Sequence, residues 1–205
     1  MNATPRRAQH VADTRQALLD AARELFTDRG YAATGTEDIV ARARVTRGAL
    51  YHHFADKADL FRAVMVTVAG ELAGRTTAQV LRHHPDPDRG VWDELRAGFA
   101  AYLDASLDPD FQQIVLIDGP AVLGPQAWGE LVEQHGLGLL RQWLEEAMAA
   151  GHIDRLPVDP LAHLLAALIA EASLVIARSP DRQAARADIG VTLDRILLGL
   201  RPQPA

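Results

Sequence analysis

The chain has no cysteine, which rules out disulfides and thiolate metal sites and suits a reducing compartment. Aromatic residues are scarce, 5% of 205 positions, although 48% are hydrophobic. An apolar content so rich in alanine and leucine favours helices over strands. Long hydrophobic runs are also lacking. The richest stretch, Leu161 to Ala177, is interrupted by His163, Glu171 and Ser173, and falls short of the roughly 20 residues that span a bilayer. The N-terminal segment MNATPRRAQHVADTR has no apolar centre of the kind a secretory signal needs. These absences predict a soluble, cytoplasmic, all-α chain without a membrane partner, long enough for one sizeable core or two small ones.

Positive charge is in short supply overall, with a net −6, but it is unevenly placed. Residues 1–62 hold 10 Lys and Arg against 8 Asp and Glu (+2), and the remaining 143 residues hold 11 against 19 (−8). An acidic remainder would keep a polyanion at the N-terminal end. Ordinary surface variation also produces such asymmetry, so the charge balance needs a motif beside it.

That motif runs from Thr36 to Lys57, TEDIVARARVTRGALYHHFADK. Thr36 reads as an N-cap with Glu37 and Asp38 in the first turn, and Ile39, Val40 and Ala43 as the apolar side of a short helix. Two residues later Thr46 can cap a second helix by accepting from the N–H of Gly48 or Ala49, flanked by Val45 and Leu50 at staple spacing. Leu50 and Phe54, four apart, point inward and leave Arg47, Gly48, Tyr51 and His52 on the opposite face. An arginine there can bond guanine O6 and N7 or a phosphate. Tyr and His can bond phosphate, and a glycine lets a backbone come close. Lys57 opens a further helix capped by Asp56.

The run from Ala17 to Phe61, with GY, TEDIV, VTRGALYHHF and DKADLF in order, resembles the N-terminal DNA-binding domain of the TetR (tetracycline repressor) family. The resemblance implies phosphate contact at Thr36 and Lys57, and a recognition helix presenting Thr46, Arg47, Gly48, Tyr51 and His52. His53 falls between the two faces. Ala49 stands where family members often carry Thr or Ser. Arg44 stands where they usually carry Gly, in a turn that can require positive φ at a cost of roughly 1 kcal/mol. Arg44 either contacts phosphate or is merely solvated.

Taken in order, residues 1–12 are expected to be disordered, as a solvated tail or a minor-groove arm. Helix one is expected from Asp13 or Thr14 to Arg29, with Leu18, Ala22, Leu25 and Phe26 buried, Gly30 as its stop and Tyr31 closing the small core. A long helix from Lys57 to about Arg82 follows, then a loop at 83–90. Further helices are expected at about 91–106, 110–118, 125–150, 160–178 and 183–200, with breaks at Asp118-Gly119-Pro120, Gly151 and Ser179-Pro180. The fold class is therefore all-α with about nine helices: a DNA-binding domain over 1–56 and an effector-binding, dimerising domain over 57–205.

By the same resemblance the last two helices form half of an intermolecular four-helix bundle, through Leu161, Leu165 and Leu168 with Ile189, Leu193, Ile196, Leu197 and Leu200. The alternative is that both are covered within one subunit. A cavity for a small hydrophobic or aromatic effector is implied among the C-terminal helices. Its candidate lining is Trp92, Phe99, Tyr102, Leu103, Gln113 and Ile117 with Trp128, Trp143, His163 and Ser173, each equally open to ordinary core packing. No nucleophile, base and orienting acid lie at informative spacing, and no metal-ligand pattern occurs. The sequence therefore points to a non-enzymatic regulator without cofactor or metal, a ligand-released repressor that binds a near-palindromic operator in double-stranded DNA as a homodimer. The competing reading is a helical metal-binding protein or enzyme with an incidental helix-turn-helix.

Overall fold

The structure is a computed structural model describing residues 4–82 and 90–202, without side chains at 4–8, 76–82, 134 and 135. Its α-helices are α1 (Thr4–Ala33), α2 (Thr36–Ala43), α3 (Arg47–His53), α4 (Lys57–Arg82), α5 (Val91–Ala105), α6 (Gly119–Val132), α7 (Gly138–Ala149), α8 (Val158–Arg178) and α9 (Arg182–Leu198). Two π-helical segments, Phe111–Asp118 and Glu133–Leu137, lie before α6 and α7. The described residues contain no strand, as the alanine- and leucine-rich composition predicts. The loop expected at 83–90 falls outside the described residues except for Gly90, which is non-helical.

Several boundaries differ from expectation for identifiable reasons. Helix α1 begins at Thr4, not after residue 12, because proline fits a helix's first turn, where its missing N–H has no intrahelical partner anyway. Gly30 does break α1, at φ 76°, but the chain resumes a last turn to Ala33. Asp118-Gly119-Pro120 is not a break. Pro120 lies in the first turn of α6, and the interruption comes instead at Gly124, φ 75°, with Pro125 after it. Ile114 to Ile117 is helical, in the wider π form, and runs on into α6 as far as the Gly124 interruption. Helix α8 spans 21 residues and is long and apolar enough, by length and composition alone, to cross a membrane. Here it packs against α5, α7, α9 and the first π segment.

Two apolar clusters organise the packing. The first joins Leu18, Ala22, Leu25 and Phe26 of α1 to Ile39, Val40, Leu50 and Phe54, then to Leu60, Phe61, Val64 and Met65 of α4. It continues into Phe111, Ile114, Val115 and Leu116, so this core does not stop at position 56. The second is built from α5, α7, α8 and α9, with Trp92, Leu95, Leu144, Leu165, Ile176 and Leu197 among its members. Tyr102 packs against both.

Under the start of α4, Phe26, Tyr31 and Phe61 form a cluster with ring centroids 5.1–5.8 Å apart. Such pairs add about 0.5–1.5 kcal/mol beyond area burial. Over it lies Lys57, whose ammonium is 4.0 Å from the Tyr31 ring centroid and donates to the Tyr31 and Thr34 carbonyl oxygens, both at 2.8 Å. Asp56 caps α4 by accepting from the Asp59 N–H at 2.8 Å. In α4, Gly70 and Gly74 each have open space where a Cβ would stand, so close packing does not account for either.

Helix α2 ends at Arg44, φ 56° and ψ 39°, among the described residues the only non-glycine with positive φ. Two stability changes follow from these positions. Arg44→Gly removes the left-handed strain and is expected to raise unfolding free energy by about 0.5–1 kcal/mol in urea titrations. Lys57→Met removes the ammonium from both carbonyls, leaving that of Tyr31 with only the Thr34 N–H at 3.3 Å, and is expected to lower it by about 1–3 kcal/mol.

Candidate nucleic-acid interface

The turn between α2 and α3 is fixed by local hydrogen bonds. Thr46 is extended at φ −83°, and its Oγ1 accepts from the Ala49 N–H at 3.2 Å, the second of the two caps open to it. The cap of α2 is Gly35 rather than Thr36: Asp38 reaches back to accept from the Gly35 N–H at 3.3 Å, and Thr36 begins the helix, half-buried. An acid at the third helical position can do this without a hydroxyl at the cap. Leu50 and Phe54 are buried, which turns the other face of α3 outward.

On that face Thr46, Arg47, Gly48 and His52 are exposed and Tyr51 is 45% exposed. A Cβ at Gly48 would meet only Thr46 Oγ1, at 3.9 Å, so the chain's own packing leaves room for a side chain there. His53 is half-buried, and desolvation, then the neighbouring His52 and Arg15, push its imidazole below the usual histidine range. Arg47 pairs with Glu37 at 2.9 Å, and Arg44, at the turn before α3, is exposed.

Lys57 is placed differently from the exposed helix start that the sequence suggests. Its ammonium points inward to the two carbonyls, because the end of α1 leaves those acceptors facing the first turn of α4. Two of its three N–H donors are engaged there.

The ten candidate effector residues do not gather around one cavity. Trp92, Phe99 and Leu103 are buried in the second cluster, and the Trp143 ring lies so close over Gly98 that a Cβ there would approach it to 2.7 Å. Trp128 packs half-buried against the first cluster, its ring close to Gly119. Gln113 donates to Asp118 at 3.1 Å. Ile117 and His163 are exposed, contrary to a place in a pocket lining: the π segment turns Ile117 away from the core, and His163 stays on the outer face of α8, its Nδ1 2.9 Å from the Asp159 carbonyl oxygen. Tyr102, Ser106 and Ser173 meet at the seam between the clusters, where the two serine hydroxyls bond at 2.7 Å and Tyr102 stacks edge-on against Phe111. Burial pushes the Tyr102 hydroxyl up to about 12. A separate cleft of about 290 Å³ opens between α5 and α9 over Phe99, Leu103, Leu193 and Leu197, rimmed by Arg96 and Arg186.

Among the candidate interface leucines, Leu165, Leu193 and Leu197 are buried within their own subunit, because the apolar face of α9 turns toward α5 and α8. Leu161, Leu168, Ile189 and Leu200 are half-buried and Ile196 is exposed. Sequence periodicity missed the outward apolar residues Leu164, 69% exposed, Val191, 70%, and Val175. On a helix apolar nearly all round, as α8 is, periodicity alone does not say which side faces out.

The π segment is fastened to α1 at both ends, also unforeseen. Asp110 accepts from Arg23 Nε at 2.5 Å and from Thr27 Oγ1 at 2.7 Å. Asp118 accepts from the Tyr31 N–H at 2.8 Å, one residue past the Gly30 kink. Arg23 also binds Glu71 of α4, and the two acids hold its guanidinium well above its ordinary range. These partners are 48 to 87 residues apart in sequence, beyond the reach of a local spacing argument.

Comparison with known proteins agrees with this geometry. Residues 18–64 match the model of bacterial regulatory proteins of the tetR family, and residues 92–200 match the tetracyclin repressor-like C-terminal domain. The chain is 30% identical over 127 residues to the transposon Tn10 TetC protein of Escherichia coli, covering 60% of this chain and 58% of that one. It thus spans little more than half the length of that curated relative. The crystal structure of a TetR-family transcriptional regulator from Pectobacterium atrosepticum superposes with a TM-score of 0.77 at 34% identity, over 96% of this chain and 98% of that one. A structure of AibR in complex with isovaleryl coenzyme A and operator DNA shares the fold, with a TM-score of 0.66 at 21% identity over 93% and 100% of the two chains. With one family model over each half, and the exposed helix α3 inside the first, the chain belongs to the TetR family of bacterial transcriptional regulators.

Proposed function

We propose that the protein is a cytoplasmic repressor that binds a near-palindromic operator as a homodimer and is released by a small, mainly apolar effector. The observation that carries this is the face of α3: Arg47, Gly48, Tyr51 and His52 held outward by the Thr46 cap and by two buried anchors, Leu50 and Phe54. In this reading Tyr51 and His52 bond phosphate oxygens and Arg47 reads a base edge. Gly48 lets the helix start close on the DNA backbone, and Thr36, Thr46 and Arg44 flank the contact. Lys57 acts from beneath, as a brace for the helix pair.

The homodimer rests on the outer sides of α8 and α9. Leu164 and Val175 of α8 and Val191 and Ile196 of α9 face solvent, and Leu161, Leu168, Ile189 and Leu200 of the same C-terminal segment are half-covered. A second copy related by a two-fold axis would cover both sets. Two recognition helices would then stand about 34–36 Å apart, one turn of duplex.

For release, the effector would enter the seam beneath Tyr102, where a buried hydroxyl lies beside Phe111 of the π segment. A ligand that parts Tyr102 from Phe111 would pull on Asp110 and Asp118 and, through them, on α1. Such a ligand shifts the equilibrium only as far as it prefers the DNA-incompetent state. The AibR complex with isovaleryl coenzyme A and operator DNA offers a parallel for a fold of this kind holding both ligands.

Tyr51→Ala is expected to weaken binding to a selected operator by at least ~1 kcal/mol, measured by mobility-shift titration at fixed salt. Unchanged affinity would count against this face. Joint replacement of Leu164 and Val191 by Glu is expected to convert a dimer to a folded monomer in sedimentation velocity. A wild-type chain that already sediments as a monomer would remove the dimer from the account.

A further inference from the structure

Glu37 stands in the first turn of α2, and its carboxylate reaches across the turn to Arg47, Oε1 to Nη1 at 2.9 Å. On another side the Arg47 guanidinium carbon lies 5.5 Å from the centre of the Tyr51 ring. Both members of the ion pair are largely exposed, 63% for Arg47 and 69% for Glu37. Exposed pairs contribute little to stability, so the fold does not explain this one. Its consequence is geometric. An arginine on a flexible stem accepts any phosphate within reach, whereas one flanked by a carboxylate and an aromatic ring is held preferentially in one place.

The confinement also selects the acceptor. With Nη1 engaged, the Nε and Nη2 donors remain, and their fork fits the O6 and N7 atoms of guanine. A phosphate fits that fork too, but it would carry a full negative charge up to the Glu37 carboxylate. The guanine edge is neutral overall and meets no such repulsion. Removing the carboxylate would therefore free Arg47 for the backbone and lower its preference for a base.

We propose that Glu37 is a specificity-determining residue that holds Arg47 for base readout and turns it away from phosphate. The inference rests on the DNA-binding reading of α3. The experiment selects an operator from random duplexes with the full chain, then titrates wild type, Glu37→Gln, Arg47→Ala and the double variant against it. Each is also titrated against duplexes altered at the base pair whose preference Arg47→Ala abolishes. Glu37→Gln keeps the side-chain size at an exposed position, and unchanged melting of each variant shows that it is folded. The expected result is a cognate-to-mismatch ratio at that base pair about tenfold lower in Glu37→Gln, with affinity for random DNA raised. In the Arg47→Ala background the same change should leave the ratio where it was. A uniform rise on every duplex, or a ratio within twofold of wild type, overturns the role of Glu37, as does an Arg47→Ala variant that loses no base preference. A wild-type chain that selects no sequence overturns the DNA-binding reading itself.

Discussion

The junction beneath Lys57 is the constraint from which the N-terminal architecture follows. Helix α1 is broken at Gly30 and turns once more, which leaves the carbonyls of Tyr31 and Thr34 aimed at the first turn of α4. A buried carbonyl without a donor is costly, and the lysine ammonium, lying over the Tyr31 ring, satisfies both. With α1 and α4 pinned there, α2 and α3 have one place to sit, over Leu18, Phe26 and Phe61. Their outer sides are left to solvent, and with them the polar face of α3.

The same part of α1 is tied from the other side by the π segment. Asp110 engages Arg23 and Thr27, and Asp118 engages the Tyr31 N–H. Tyr31 is thus held by Asp118 through its N–H, by Lys57 through its carbonyl and ring, and by Phe26 and Phe61 through packing. The π segment meets the DNA-reading unit through these polar contacts as well as through the apolar core it shares with α1 and α4 at Phe111, Ile114, Val115 and Leu116. Polar contacts of this kind depend steeply on distance and angle, which suits a connection with two alternative arrangements.

What the sequence made legible was local. Thr46 as a cap, Leu50 and Phe54 as anchors, the left-handed Arg44 and the outward Arg47, Tyr51 and His52 all follow from spacings of a few residues. The departures came where distant chain decides. Lys57 carries the sequence signature of an exposed helix start, and only the placement of the Tyr31 and Thr34 carbonyls turns it inward. Leu193 and Leu197 look like an interface stripe on α9, yet α5 and α8 cover them, and the large apolar residues exposed on α8 and α9 are Leu164, Val175, Val191 and Ile196, of which the sequence pointed to Ile196 alone. Glu37 was legible as a first-turn acid but not as the partner of Arg47. That pairing depends on the crossing of α2 and α3, which is set by the core beneath them.

The central claim is that two copies present α3 to one duplex at a spacing B-form DNA accepts. It is tested most directly by weighing the complex on a selected operator by native mass spectrometry, alongside hydroxyl-radical footprinting of both strands. The account predicts two chains per duplex, with protected half-sites centred about one helical turn apart and related by a dyad. One chain per duplex, or protection without two-fold symmetry, would contradict it.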